Sequence, residues 1–214
     1  MMPRVALLTI GDGRDHLLAR TTASLYEHVA PPEAWATHVH VDDRAHRLGF
    51  AGAIRRGWEI LRALEGFEYV FHLEEDWLFD RDVDLAGMAR LLREYPALAQ
   101  VALRRNAVNA QERLAGGVVE MWPDEYLEKA LTTVVLSDGT VGRIEWLEHG
   151  LYFTTNPCLY PVELIEHRLW PDTPGSEAAF TAELLRLGYR FALWGPRKGT
   201  WVTHTGHDRT GVGY

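Results

Sequence analysis

Residues 71–79, Phe-His-Leu-Glu-Glu-Asp-Trp-Leu-Phe, set three consecutive acids between apolar side chains. Adjacent like charges repel, and a buried carboxylate without a partner is costly. Glu74, Glu75 and Asp76 are therefore either solvated or matched by something positive. Grouped carboxylates are oxygen ligands for hard divalent cations such as Mg2+ and Mn2+. These ions take one or two protein carboxylates and fill their other positions with phosphate oxygens and water. Asp76 is the first choice of ligand, with Glu74 or Glu75 acting directly or through water. Alternation along an extended segment puts Glu74 and Asp76 on one side and Glu75 on the other. A cation held there would neutralise charge building on a phosphate leaving group. His204, in a tail rich in Thr, His and Gly that also carries His207, is a further ligand or a phosphate donor. Glu177 follows Pro174-Gly175 at a helix start, where one carboxylate suffices as a general base.

Each of these residues also has a plainer role open to it. A strand-end acid cluster can be a solvated loop, and Asp42-Asp43 suits a turn or a helix cap. Glu177 suits the first turn of a helix, where the dipole favours an acid. Trp77 and Trp146 suit a core as well as a sugar platform. Asp80, Asp82 and Asp84 read as a solvated face and cap, Arg55 and Arg56 as an exposed helix side, and Cys158 as a small buried apolar residue.

The elements that must position these residues alternate in type. Val5–Ile10 is a continuous apolar run ending at Gly11-Asp12-Gly13, as a buried strand entering a loop would be. Asp15 suits the cap of a helix with Leu18, Thr21, Leu25 and Val29 on one face, stopped by Pro31-Pro32. A second strand, His38–Val41, ends at Asp42-Asp43. Phe50, Ile54, Trp58, Leu61 and Leu64 recur at helical spacing. Tyr69–Leu73 is a third strand, ending at the acids. Leu85, Met88, Leu92 and Tyr95 mark a third helix, and Ala99–Leu103 a further strand. Strands alternating with helices predict an α/β fold with a mostly parallel sheet and right-handed crossovers. Ligands bind such sheets outside the carboxyl ends of the strands, where Gly11-Asp12-Gly13, Asp42-Asp43 and Glu74-Glu75-Asp76 all fall.

The second half is less regular. Val118–Met121 and Thr132–Leu136 read as antiparallel strands, with a hairpin from Thr133 through Ser137-Asp138-Gly139-Thr140 to Ile144. Leu151-Tyr152-Phe153 leads into the loop Thr154-Thr155-Asn156-Pro157. Ser176 suits the cap of a helix from Glu177 to Leu187 with Gly188 as its stop, followed by a strand over Tyr189–Trp194.

The whole chain has 214 residues, 47% hydrophobic and 24% charged, which suits one globular domain with a sizeable core. A net charge of −8 disfavours general nucleic-acid binding. One cysteine, Cys158, excludes an internal disulfide and fits a reducing compartment. No apolar run approaches the roughly 20 residues of a membrane span. The run after Met1-Met2-Pro3-Arg4 is too short for a signal peptide. These features together predict a cytoplasmic protein.

The order of parts resembles the GT-A fold of nucleotide-sugar glycosyltransferases, especially those of family 2 type. The likeness covers most of the chain. "VALLTI", with Thr9, is similar to the first strand and its donor-side loop, which here includes Asp12. "VHVDDR" resembles the strand whose acid contacts base or ribose, which implies that role for Asp43. "YVFHLEEDWLF" resembles the strand carrying the Asp-x-Asp motif, here Glu74-Glu75-Asp76. It implies metal binding by Asp76 and Glu74, with Glu75 at the nucleotide. "FTTNPCLYP" is similar to the acceptor-side segment, implying acceptor contacts by Asn156 and, across the site, by Trp77. "SEAAFTAELLRLGYRFAL" resembles the helix whose start carries the catalytic acid, mapping to Glu177. "WVTHTG" resembles a late histidine segment, mapping to His204. The resemblance implies a nucleotide-sugar-binding half over 1–103 and an acceptor-binding half over 104–214 of a single domain. It further implies Mn2+ or Mg2+ as cofactor, a nucleotide-diphosphate sugar as donor and inverting transfer to an acceptor hydroxyl.

Two other classes stay open. A nucleotidyltransferase that makes a sugar nucleotide uses a related sheet, and "TIGDGRDHL" loosely echoes its Gly-rich loop. Lys129 and Lys198 are its only candidate phosphate-binding lysines. The other is a non-catalytic sugar-nucleotide-binding relative. Sugar, nucleotide and acceptor are not named by the sequence.

Overall fold

A computed structural model describes residues 3–44, 46–135 and 141–206. Three of the strands that build the sheet come from the first alternating stretch: β1 (Val5–Gly11), β2 (Thr37–Asp42) and β3 (Tyr69–Glu74). β1 pairs in parallel with both β2 and β3, and every one of its residues is buried. That is the pattern of a strand covered by helices on both faces, and it explains why Val5–Ile10 reads as an unbroken apolar run. β2 lies at the sheet edge and alternates in burial.

The full sheet has eight strands in the order β2-β1-β3-β8-β5-β9-β7-β6. The added strands are β5 (Leu98–Ala102), β6 (Leu127–Val135), β7 (Val141–His149), β8 (Cys158–Pro161) and β9 (Arg190–Trp194). β5 and β9 are parallel to each other. β8 runs antiparallel between β3 and β5, and β7 runs antiparallel to β9 and β6. All strands except β7 and β8 therefore share one direction. β4 (Trp77–Phe79) and β10 (Val202–His204) form a separate antiparallel pair.

Helices cover both faces. On one face α2 (Gly49–Arg62), α6 (Val162–His167) and α7 (Ser176–Arg186) enclose an aromatic core of Trp58, Phe153, Tyr160, Trp170 and Phe180. Within it the Trp58 indole donates to the Tyr160 hydroxyl at 3.0 Å. α2 lies close on the sheet because Gly57 has no side chain: a Cβ there would come within 2.6 Å of Leu8 Cδ1. On the other face α1 (Asp15–His28) and α3 (Leu85–Glu94) cover a second core, in which Met88 and Leu91 of α3 join Phe71 and Trp146 of the sheet. Asp84 caps α3 by accepting from Gly87 N at 2.8 Å, Asp80 and Asp82 are exposed, and Cys158 is fully buried.

Several local expectations change. Asp15 does not cap α1. Arg14 holds the cap position and Asp15 is the first helical residue, where a carboxylate still faces the positive end of the dipole. The buried face of α1 uses Leu17, Thr21 and Leu25 in place of Leu18, because the helix starts from Arg14 and is rotated accordingly. Val118–Met121 is a short helix, α5, not a strand. It follows α4 (Ala110–Ala115), which ends where Gly116 and Gly117 take φ of 100° and 144°. That left-handed pair stops one helix and restarts another, which the two β-branched residues Val118 and Val119 do not overrule. Ser176 does not cap α7: Gly175, at φ 71°, precedes the helix and Ser176 is buried within its first turn. The hairpin is present as β6 and β7, but its strands are longer than the sequence suggests. Its turn, with Leu136 to Thr140, lies outside the described residues.

Candidate active site

β1 and β3 end side by side, with Ile10 opposite Glu74. The strand then stops. Glu75 and Asp76 form a turn before β4, and Glu75 N donates to Ile10 O at 3.1 Å. Thr21 of α1 pins this turn by donating to Glu75 O at 2.6 Å and accepting from Trp77 N at 3.1 Å. The simple alternation expected for Glu74 and Asp76 therefore fails, since it holds only while the chain stays extended. Glu75 and Asp76 both fold inward, at 2% and 1% exposure, while Glu74 faces the cavity described below.

The positive charge these acids require is Arg14, at the start of α1. Its Nε lies 2.8 Å from Asp12 Oδ1 and 2.7 Å from Glu75 Oε1, and its Nη2 lies 2.9 Å from Asp76 Oδ2. Burial works against the guanidinium's charge, and the three carboxylates outweigh it, raising its pKa. Glu75 goes the other way. Burial, then its hydrogen bond with Asp12, push its carboxyl up to about 7 against the pull of Arg14. Burial would also raise Asp76, but His204 and Arg14 more than offset this and hold it below the usual carboxylate range.

The last described segment closes over the cluster. β10 pairs His204 opposite Trp77, and the two rings lie 4.9 Å apart. His204 Nε2 lies 3.3 Å from Asp76 Oδ2. Thr205 donates both its N–H, at 2.8 Å, and its hydroxyl, at 3.0 Å, to Asp76 O. Gly206 is packed so closely that a Cβ would collide with Asp76 Oδ2 and sit 2.7 Å from Arg14 Nη1.

Beside this cluster opens a cavity of about 1520 Å³. It is bordered by the carboxyl-end loops of β1, β2, β3 and β5 and by the start of α7. Of the residues singled out in the sequence, Asp12, Asp43, Glu74, Trp77, Asn156, Glu177 and His204 line it. Asp43 is buried, and its two oxygens accept from Leu48 N at 2.7 Å and Gly49 N at 2.9 Å, capping α2 from within the cavity wall. Glu177 Oε1 accepts from Thr155 N at 2.7 Å and Thr155 Oγ1 at 2.8 Å, which fixes the acid across from Glu74's strand end. Thr9 is not brought to the cavity: it is buried in mid-strand, with its hydroxyl 3.0 Å from His38 Nε2. Glu75 and Asp76 lie behind the wall rather than on it. His207 lies outside the described residues.

Sequence reasoning missed Arg14, Arg105, Glu112 and Tyr152. Arg14 had a signal: it is a cation in the loop directly after β1, between Asp12 and Asp15.

No group of three or more His, Cys, Asp or Glu side chains is arranged to hold a metal among the described residues. Asp76, Glu74 and His204 therefore do not form one preassembled cage. Asp76 and His204 do meet, however, and Asp76 Oδ1 is buried with no hydrogen-bond partner among the described residues. With one arginine among Asp12, Glu75 and Asp76, the cluster keeps a negative excess. Two protein ligands, an unused carboxylate oxygen and residual negative charge fit a Mg2+- or Mn2+-type ion that completes its shell with phosphate and water.

No protein-family model matches the chain, and no curated protein matches it in sequence. Solved structures do match in fold. One is described as GalNAc-T7 with UDP, GalNAc and Mn2+: 9% identity, TM-score 0.60, covering 95% of this chain and 44% of that one. Another is the mannosyltransferase PcManGT from Pyrobaculum calidifontis in complex with GDP-Man and Mn2+: 15% identity, TM-score 0.51, covering 94% of this chain and 59% of that one. The chain thus spans about half the length of each. With its parallel strands around β1, its antiparallel β8, and its acid turn at the end of β3, this chain has the GT-A fold.

Proposed function

We propose that this protein transfers a sugar from a nucleotide-diphosphate sugar to an acceptor hydroxyl, with a divalent cation and with inversion at the anomeric carbon. The observation that carries this reading is that His204, which reaches Asp76 just behind the wall, and the helix-start acid Glu177 line one cavity at the carboxyl ends of a GT-A sheet. Both structural neighbours hold a uridine or guanosine diphosphate group together with Mn2+.

Asp43 and Asp12 take the nucleoside end, and Glu74 and Trp77 face the transferred sugar or its acceptor. Asp76 and His204 would hold the cation, which would supply charge neutralisation for the departing diphosphate. Arg14 keeps Asp76 ionised and aimed. Glu177 accepts the proton of the acceptor hydroxyl as that oxygen bonds to the anomeric carbon. The bond from that carbon to the phosphate oxygen breaks, and the nucleoside diphosphate leaves with the electron pair. Asn156 and Thr155 hold the acceptor side of the cavity. Neither Lys129 nor Lys198 lines the cavity, and Lys129 is engaged with Glu148 at 2.6 Å, which argues against the nucleotidyltransferase alternative. No described helix is long and apolar enough to cross a membrane, and with the single buried thiol this favours a cytoplasmic setting.

The test is titration of the protein with UDP, GDP and their sugar conjugates, with and without Mn2+, followed by assay of sugar transfer to water or a glycan acceptor. Mn2+-dependent binding and an inverted product are expected. No nucleotide binding under any condition, or a product of retained configuration, refutes the reading.

A further inference from the structure

Just beyond β5 the chain places a charged pair that the mechanism above does not use. Arg105 and Glu112 both line the cavity and form a two-pronged ion pair, Nη1 to Oε2 at 2.6 Å and Nη2 to Oε1 at 2.8 Å. Their side chains are only 17% and 6% exposed. Placing two charges there costs solvation, and such a pair is weak evidence for stability, so its presence on a cavity wall asks for another use.

The pair is built with care. Asn109 caps α4 by accepting from Glu112 N at 2.8 Å, and Glu112 Oε2 also accepts from Val108 N at 2.9 Å. The hydrogen bonds from Arg105 hold the Glu112 carboxyl below the usual carboxylate range. Arg105 is tied directly to the segment that carries His204. It forms a backbone bridge with Val202, Asn106 N donates to Val202 O at 3.0 Å, and Asn106 Oδ1 accepts from His204 N at 3.0 Å. The guanidinium is thus fixed relative to the Asp76–His204 locus where the diphosphate is placed.

A guanidinium has five N–H donors. Glu112 takes two, and Asn106 O takes one at 3.0 Å. Nε–H and one Nη2–H have no hydrogen-bond partner among the described residues. A fixed fork with two unused donors, beside a carboxylate that can accept, matches the hydroxyl groups on neighbouring carbons of a sugar ring. Because Glu112 already balances its charge, Arg105 offers these donors without net attraction for an anion.

We propose that the Arg105–Glu112 pair determines sugar specificity, selecting a neutral, hydroxylated donor ring over one that carries a carboxylate. This rests on the glycosyltransferase reading above. In that reading the sugar hangs from the phosphate next to the cation, and Arg105 is the side chain just beyond β5 that the His204 segment holds in register with it.

The experiment compares nucleotide with sugar nucleotide by calorimetry on the full chain with Mn2+, using UDP, GDP, UDP-N-acetylgalactosamine, GDP-mannose and UDP-glucuronate. In the native protein at least one neutral sugar nucleotide should bind more tightly than its parent nucleotide, and UDP-glucuronate no more tightly than UDP. Arg105→Lys keeps the charge but not the fork, and should lose roughly 10–100-fold of the sugar's added affinity while nucleotide affinity stays. Glu112→Gln leaves the guanidinium unbalanced and should raise affinity for UDP-glucuronate. The proposal is overturned if the neutral sugar adds nothing in the native protein, or if its added affinity survives both substitutions. It is equally overturned if nucleotide affinity falls in parallel, which marks the pair as structural. A native protein that binds no nucleotide refutes the parent reading, an outcome distinct from all of these.

Discussion

Replacing Glu75 by Gln should stabilise this protein above neutral pH. Glu75 is 2% exposed, and burial raises its carboxyl from an ordinary value of 4.5 to about 7. A carboxyl with a raised folded-state pKa contributes stability fully below pH 4.5 and loses it as pH rises through 7. By pH 8 its ionisation in place costs on the order of 3 kcal/mol. Gln mimics the neutral acid in shape and can still accept from Arg14. The variant should therefore match the native protein near pH 4.5 and exceed it by about 3 kcal/mol at pH 8. With an m of about 2 kcal/mol/M in urea, that is roughly 1.5 M in the unfolding midpoint. His72 and His149, both held near 3 by burial, add an opposite slope below pH 6.5, but they do so in both proteins and cancel in the difference. Asp76 is lowered, so its contribution is present above 3.8 and is lost only as pH falls below that. Urea midpoints at pH 5, 6.5 and 8 decide the matter. Parallel curves for the two proteins refute the claim that Glu75 is driven toward its neutral form.

Three further outcomes are expected. Glu177→Gln keeps the acceptor oxygen that Thr155 uses, so donor affinity should hold while turnover falls by at least about 10²-fold; an unchanged kcat excludes Glu177 as the base. Asp76→Asn should remove the Mn2+-dependent part of nucleotide affinity, and calorimetry showing that part intact would end the metal assignment. Gly206→Ala must push the tail away from Asp76 and Arg14. It should weaken Mn2+-assisted nucleotide binding about tenfold or more with a smaller effect on melting temperature, whereas unchanged affinity shows that this tail does not shape the cation locus.

What the sequence disclosed follows from how local each signal is. β1 and α2 are legible because each buries a long face whose period survives without knowing its neighbours: seven consecutive buried residues in one, Ala53, Ile54, Trp58 and Leu61 in the other. β8 is not, because Cys158–Pro161 is four residues that follow one proline and end in another, and what makes it a strand is the slot between β3 and β5. β4 and β10 are three residues each and exist through one another. The site divides in the same way. Acids at strand ends are visible because β3 is visible. Their partner is not, since Arg14 lies 61 residues from Glu75 in sequence and meets it only once β1 and β3 lie side by side. Charge alone left these acids either solvated or matched by a cation, and for Glu75 and Asp76 the fold supplies that cation from the protein itself. That changes what a bound metal has to do. With Arg14 already on Asp12, Glu75 and Asp76, an added divalent ion meets a partly neutralised cluster, so the phosphates of the nucleotide must contribute a large share of its ligands. Metal and nucleotide should consequently bind cooperatively, each weakly alone, and a titration of Mn2+ in the absence of nucleotide that shows tight binding would contradict this account of the cluster.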